Sequence, residues 1–161
     1  MKDVDAYSSC ALAWGLGNPN NPALRSILVS KYNLETNRFL SLIHPSVIID
    51  EHVSIGKEVN IDAGSIISSG VNIENYGSIG RACIIQHGGH LDEGVLLASG
   101  IIMAGNVKVG KNTYIGQGAN IIENVTIGNN CIIGLGAIIT KNVDDNKIVY
   151  CKQNMIYKEN P

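Results

Sequence analysis

From Ile49 onward the chain repeats in steps of six. Stepping by six reaches Ile55, Ile61, Ile67, Ile73, Ile79, Ile85, Leu91, Leu97, Met103, Val109, Ile115, Ile121, Ile127, Ile133 and Ile139, which makes sixteen consecutive aliphatic or methionine positions. Two residues before each, the side chain is usually small or β-branched, as at Val53, Ser65, Val71, Cys83, Val107, Thr113, Ala119 and Cys131. Corner residues follow each one, as in I-G-K-E, I-G-Q-G and I-G-N-N. A period of six is neither helical nor simple alternation. It fits a short strand with two inward side chains, closed by a turn. Three such units predict a triangular coil of eighteen residues whose successive turns pair at about 4.8 Å. Sixteen units give a little over five coils and a prism about 25 Å tall. The strands of an ordinary sandwich are spaced less regularly and further apart.

The pattern changes ahead of this region. Residues 4–16 read as a strand reaching a Gly-rich turn. Asn21 then serves as a helix N-cap, with Pro22 at the first helical position. Leu24, Ile27, Leu28 and Tyr32 follow at helical spacing. Phe39–Ile43 reads as another strand, and His44-Pro45 leads into the prism. The expected organisation is therefore mostly β: a partial α/β segment over 1–43, a parallel β-helix of about five coils over 44–146, and a C-terminal tail over 147–161. G-L-G-N-P-N lacks the G-x-G-x-x-G spacing and does not read as a phosphate loop.

Composition narrows the function classes. The chain has 161 residues, 45% hydrophobic but only 5% aromatic, so Ile, Val and Leu must build the core. A net charge of −2 supplies no basic field for nucleic acid. Cys10, Cys83, Cys131 and Cys151 show no CxxC spacing and are too sparse for a disulfide scaffold, which favours reduced thiols in the cytoplasm. Cys83 and Cys131 fall at inward positions and read as inert core thiols. No run approaches the roughly 18 apolar residues of a membrane span.

Candidate chemistry centres on C-I-I-Q-H-G-G-H. Residues eighteen apart stack on adjacent coils, so the column through His87 runs Glu51, Ser69, His87, Gly105, Glu123, Lys141. His87 falls at a corner and points outward. Gly105 above it leaves open space and a bare N–H, which together place a general base beside an oxyanion donor. His90, one residue before inward Leu91, reads as a solvated face residue or as part of an acceptor site. A metal site built on three histidines lacks its third ligand in the later coils, so no metal is expected.

H-P-S-V-I-I-D, Q-H-G-G-H-L-D, A-S-G-I-I-M-A-G-N-V-K-V-G and G-L-G-A-I-I-T-K-N-V-D-D resemble the hexapeptide-repeat, left-handed β-helix acyltransferases. Within them they are similar to the bacterial sialic acid O-acetyltransferases and UDP-4-amino-sugar N-acetyltransferases. The left hand comes from this resemblance, since the general preference is for right-handed crossovers. The resemblance implies an acetyl-CoA-dependent acetyltransferase acting directly on a sugar amine or hydroxyl. His87 would be the base and the Gly105 amide would hold the thioester oxygen. It also implies a cytoplasmic homotrimer, with the CoA lying in a groove along Gly105, Glu123, Asn124 and Lys141. Lys141, Lys147 or Lys152 would meet the phosphates, and Gln86 and His90 would face the acceptor. The chain departs from the family at several points. Gln86 and Gly88 stand where acids usually flank the histidine, leaving the Gln86 oxygen as the available acceptor for the imidazole. Leu96 stands where a second histidine occurs. The C-terminal A-G-x-P-A-K appears only as Y-C-K-Q-N-M, and the Gly-rich half of the N-terminal domain is missing. These departures would also fit a catalytically inactive scaffold subunit.

Overall fold

The computed structural model describes residue 18, residues 20–34 and residues 39–151. The strand expected over 4–16, Lys152 and the Y-C-K-Q-N-M tail beyond Cys151 lie outside the described residues.

The six-residue period becomes a left-handed parallel β-helix of about six turns. Eighteen two-residue strands, numbered along the chain, form its walls. The first sheet contains β1 (Leu42–Ile43), β4 (Asn60–Ile61), β7 (Ser78–Ile79), β10 (Leu96–Leu97), β13 (Tyr114–Ile115), β16 (Ile132–Ile133) and β18 (Ile148–Val149). The second contains β2 (Ile48–Ile49), β5 (Ile66–Ile67), β8 (Ile84–Ile85), β11 (Ile102–Met103), β14 (Asn120–Ile121) and β17 (Ile138–Ile139). The third contains β3 (Ser54–Ile55), β6 (Asn72–Ile73), β9 (His90–Leu91), β12 (Lys108–Val109) and β15 (Thr126–Ile127). Every neighbouring pair is parallel, and register advances by eighteen, as in Ile85↔Met103 and Met103↔Ile121. The coil is longer than the expected five turns because β1 and β18 extend it beyond residues 44–146.

In each strand the second residue points inward and the first outward. Ile67, Ile85, Met103, Ile115, Ile127 and Ile133 are completely buried. Each such aliphatic side chain contributes about 1.5–3 kcal/mol through burial. The second inward position, two residues earlier, takes smaller groups. Two of these are hydroxyls that find partners inside. Ser65 Oγ donates to Gly80 O and accepts from Cys83 N, and Thr113 Oγ1 does the same with Gly128 O and Cys131 N. Cys83 is fully buried, and burial pushes its thiol up, which fits an inert core thiol.

The corners turn through a left-handed residue in nearly every repeat. Glycine or asparagine occupies most of these positions, whereas Ala82 (φ 53°) and Tyr76 (φ 64°) do not have the residue types that favour this region. The final coil is shorter than the rest. Ile127 bridges Val143 and Ile132 pairs with Ile148, a register of sixteen instead of eighteen. Asn142 and Asp145 supply the side-chain bonds that hold this tightened turn, to Thr126 N and to Asn129 N and Nδ2.

The helix α1 spans Leu24–Tyr32. Its N-cap is Ala23, with no side-chain cap, so the Asn21 cap and Pro22 first position expected from sequence are displaced by two residues. The Asn21 carbonyl accepts from Leu24 N instead. The buried side chain of the helix is Arg25 rather than the aliphatic set, and Ile27 and Tyr32 are exposed. Arg25 Nη1 reaches the carbonyls of Glu58, Tyr76 and Gly77, all at 3.5 Å, which pins the helix to the prism corner that feeds the first sheet.

Candidate active site

Register alone brings the predicted column together. Ile85, Met103, Ile121 and Ile139 stack in the second sheet, so the residues two further on, His87, Gly105, Glu123 and Lys141, stack on the corner between the second and third sheets. His87 is exposed, and the Cε1 and Nε2 atoms of its ring lie nearest Gly105. A Cβ at Gly105 would come within 2.6 Å of both Cε1 and Nε2 and 3.3 Å of Nδ1. Gly105 is itself buried beneath this ring, and its N–H donates to no group among the described residues. The arrangement therefore brings the His87 ring and the Gly105 backbone together at one corner.

The next residue along the corner gives a second column of Gly88, Asn106 and Asn124. Asn106 N donates to His87 O at 2.9 Å and Asn124 N to Gly105 O at 3.0 Å, so adjacent coils are clamped at this point. Asn106 Nδ2 also donates to Asn124 Oδ1 at 3.3 Å. Asn106, which the sequence reading did not single out, stacks between Gly88 and Asn124 beside the column of His87, Gly105 and Glu123. Its position eighteen residues above Gly88 was the available signal.

Lys141 and Lys147 both line a cavity of about 410 Å³ at the top of the prism, together with Ile138, Thr140, Asn142, Asp144 and Val149. Gln86 lies exposed at the edge of the second sheet, and its side chain makes no hydrogen bond to His87 or to any other described residue.

His90 lies on the third sheet, around the corner from His87, and is neither free nor simply solvated. Asn72 Nδ2 sits 3.2 Å from His90 Nδ1 and also donates to Glu74 Oε1 at 2.9 Å, which fixes the amide orientation and makes Nδ1 the acceptor. Nε2 then carries the proton and faces Asp92 at 3.6 Å. Both ring nitrogens of His90 are engaged, whereas the His87 ring has no hydrogen-bond partner among the described residues. The described residues contain no cluster of three or more His, Cys, Asp or Glu able to hold a metal ion, and no helix among them is long and apolar enough to cross a membrane.

Three short-stranded parallel sheets wound with glycine- and asparagine-rich corners define the hexapeptide-repeat class of left-handed β-helices. The bacterial transferase hexapeptide (six repeats) model matches residues 106–141 of the chain. Solved structures agree. PerB from Caulobacter crescentus, in complex with CoA and GDP-perosamine, is 28% identical with a TM-score of 0.76 over 82% of this chain. The acetyltransferase domain of PglB from Neisseria gonorrhoeae, in complex with acetyl coenzyme A, shares the fold at 23% identity, TM-score 0.75 and 82% coverage of this chain. AntD from Bacillus cereus, an N-acyltransferase in complex with dTDP and 3-hydroxybutyryl-CoA, shares it at 22% identity, TM-score 0.65 and 69% coverage, and this chain spans 75% of its length. The chain spans 64% of the length of both PerB and the PglB domain.

Proposed function

We propose that this protein is an acetyl-CoA-dependent acetyltransferase acting on an amino or hydroxyl group of a sugar or nucleotide-sugar, in the cytoplasm, as a homotrimer. The observation that carries this reading is the His87 imidazole packed on Gly105 beside an amide with no other partner. To admit the thioester, the exposed ring swings outward. The acceptor nitrogen or oxygen then attacks the carbonyl carbon, and Nε2 of His87 takes the acceptor's proton. The carbonyl oxygen gains charge against the Gly105 N–H. As the C–S bond breaks, the thiolate leaves as CoA and recovers a proton, giving the acetylated sugar and CoA. Glu123 and Asn124 line the path of the pantetheine arm. The Lys141–Lys147 cavity offers two cations to the phosphates. From His87 to Lys141 is three coil rises, about 14 Å, a distance an extended pantetheine spans. Gln86 and His90 flank the corner on its two sides and face the acceptor. A sugar amine is the first acceptor to test, because PerB is described with CoA and GDP-perosamine.

The homotrimer rests on the outer face of the second sheet. Its outward positions stack as Ile48, Ile66, Ile84 and Ile102, with exposed Asn120 and then Ile138 above them. Contiguous apolar surface of this kind marks an interface, and it borders the His87 corner, so the groove would close between copies.

The decisive measurement is acetyl transfer to a panel that includes GDP-perosamine and UDP-4-amino-sugars, together with a thermal shift on adding acetyl-CoA. His87→Ala should lower turnover by about 10²–10⁴-fold while leaving the acetyl-CoA shift in place. A second reading, an inactive scaffold, is favoured by the absence of a hydrogen-bond partner for the His87 ring among the described residues. An intact trimer that shows no shift at millimolar acetyl-CoA would establish it and remove the enzyme reading.

A further inference from the structure

We propose that the recess between the chain leading into α1 and the upper prism is a subsite for a neutral sugar ring. The recess holds about 230 Å³ and is walled by Asn20, Asn21 and Pro22 on one side and by Asn112, Asn130 and Ile132 on the other. None of the described residues lining it is charged, so it offers no counter-charge to a phosphate or a carboxylate. Its four carboxamides supply both donors and acceptors, and Pro22 and Ile132 supply apolar surface. Cys131 borders it too, but is fully buried with its sulfur on the carbonyls of Asp144 and Asn129. The asparagine stack identifies the group that fits. Elsewhere on the prism one corner asparagine donates to the next, Asn106 Nδ2 to Asn124 Oδ1 and Asn130 Nδ2 to Asn146 Oδ1, both at 3.3 Å. Asn112 and Asn130 are placed in the same way, with φ 54° and 53° and their amides donating to the Glu93 and Lys111 carbonyls at 2.9 and 2.8 Å. Asn112 Oδ1 occupies the space a Cβ on Gly94 would fill, as Asn106 Oδ1 does over Gly88. Yet the rung between Asn112 and Asn130 is missing. Asn112 Nδ2 and Asn130 Oδ1 have no hydrogen-bond partner among the described residues, and this gap falls at the recess. A hydroxyl closes it, because one oxygen can accept from Nδ2 and donate to Oδ1, whereas a carboxylate cannot donate and an ammonium cannot accept. Sites that enclose a whole drug-sized ligand run to roughly 300–1,000 Å³. This recess is smaller and suits one ring, with hydroxyls on the asparagines and a C–H face on Pro22 and Ile132. The ring is a hexose or the ribose of a nucleotide. The recess lies at the corner between the third and first sheets, whereas His87 lies between the second and third, so the two sites are separate.

The test follows the asparagine side-chain amides of the full-length protein by ¹H–¹⁵N NMR while glucose, galactose, ribose or uridine is added to millimolar concentration. The Asn112 and Asn130 amides, assigned by substitution, should shift saturably. Those of Asn106 and Asn124, whose rung is already closed, should not. A response to the hexoses assigns the subsite to a glycan, and a response to ribose and uridine alone assigns it to the ribose of a nucleotide. Asn112→Asp tolerates the left-handed corner but exchanges the donor for an acceptor. Affinity should therefore fall about tenfold, the loss of one hydrogen bond, whereas Asn106→Asp should leave it unchanged. The titration needs no acetyl transfer, so its outcome is independent of the chemistry at His87. Wild-type Asn112 and Asn130 amides unmoved by all four probes would mean that the recess holds only water, and would overturn the proposal without recourse to any variant. A response to uridine without one to ribose, or equal affinity in Asn112→Asp, overturns it as well.

Discussion

Replacing Gly105 with alanine isolates what the site depends on. The backbone there is not in the left-handed region, so alanine is compatible with it. A new Cβ would lie 2.6 Å from Cε1 and Nε2 of His87, whereas ordinary contact begins at 3.4 Å. The ring must therefore move by at least about 0.8 Å, and the methyl group fills the space that the thioester carbonyl would enter. A displacement near 1 Å at a reacting centre costs about 10²-fold in rate. Folding should not suffer, because the ring is the exposed end of a side chain and can move cheaply. The loss of chain freedom in the unfolded state adds about 0.4–1 kcal/mol of stability. Steady-state acetyl transfer and chemical denaturation on the same preparation test both halves. The expected result is kcat/KM down about 10²-fold with a denaturation midpoint no lower than wild type. Full activity in Gly105→Ala would mean that the space between imidazole and amide is not where chemistry happens. A large loss of stability would mean that the ring is part of the packing and not of a site.

Further predictions concern the scaffold. Ile102→Asp should dissociate the proposed trimer, since a carboxylate desolvated in such an interface costs several kcal/mol, and sedimentation velocity should show monomer with an unchanged circular dichroism spectrum. Ala82 adopts a conformation disfavoured by about 1–2 kcal/mol for residues with a Cβ, so Ala82→Gly should raise the denaturation midpoint by a net ~0.5–1 kcal/mol once glycine's extra unfolded freedom is counted. The Asp145 carboxylate is held below its ordinary pKa by hydrogen bonds from the Asn129 side chain and backbone. A depressed pKa contributes stability above the unfolded value of 3.8 that is lost as pH falls through the folded one. Amide protection in the last coil, taken relative to the intrinsic exchange rate at each pH, should therefore fall below about pH 4. In Asp145→Asn that acid-induced step should vanish.

The coil was legible because its signal is arithmetic. Two inward positions per six residues leave no other way to bury Ile85, Met103 and Ile121 together, and the column from His87 to Lys141 follows from the same count. The shortened last coil escaped notice because the aliphatic beat ends at Ile139, and only the pairing of Val143 with Ile127 reveals the missing two residues. Helix α1 was placed by cap chemistry and apolar spacing, yet its anchor is Arg25, since backbone carbonyls at the prism corner attract a guanidinium more than they attract leucine. His90 was read by exposure, whereas what decides its state is Asn72, eighteen residues earlier, a neighbour that stacking reveals but local pattern does not.

A register that advances by eighteen behaves like a screw thread. Adding or deleting one residue below a given turn would send every outward group above it indoors and every inward one out, whereas a whole turn can be gained or lost without disturbing the others. Length changes in this molecule are therefore tolerated in complete revolutions, or at the uppermost described turn. That is where the single irregular revolution is found, and reshaping it would adjust the lysine-bordered recess while leaving the thread beneath it in step.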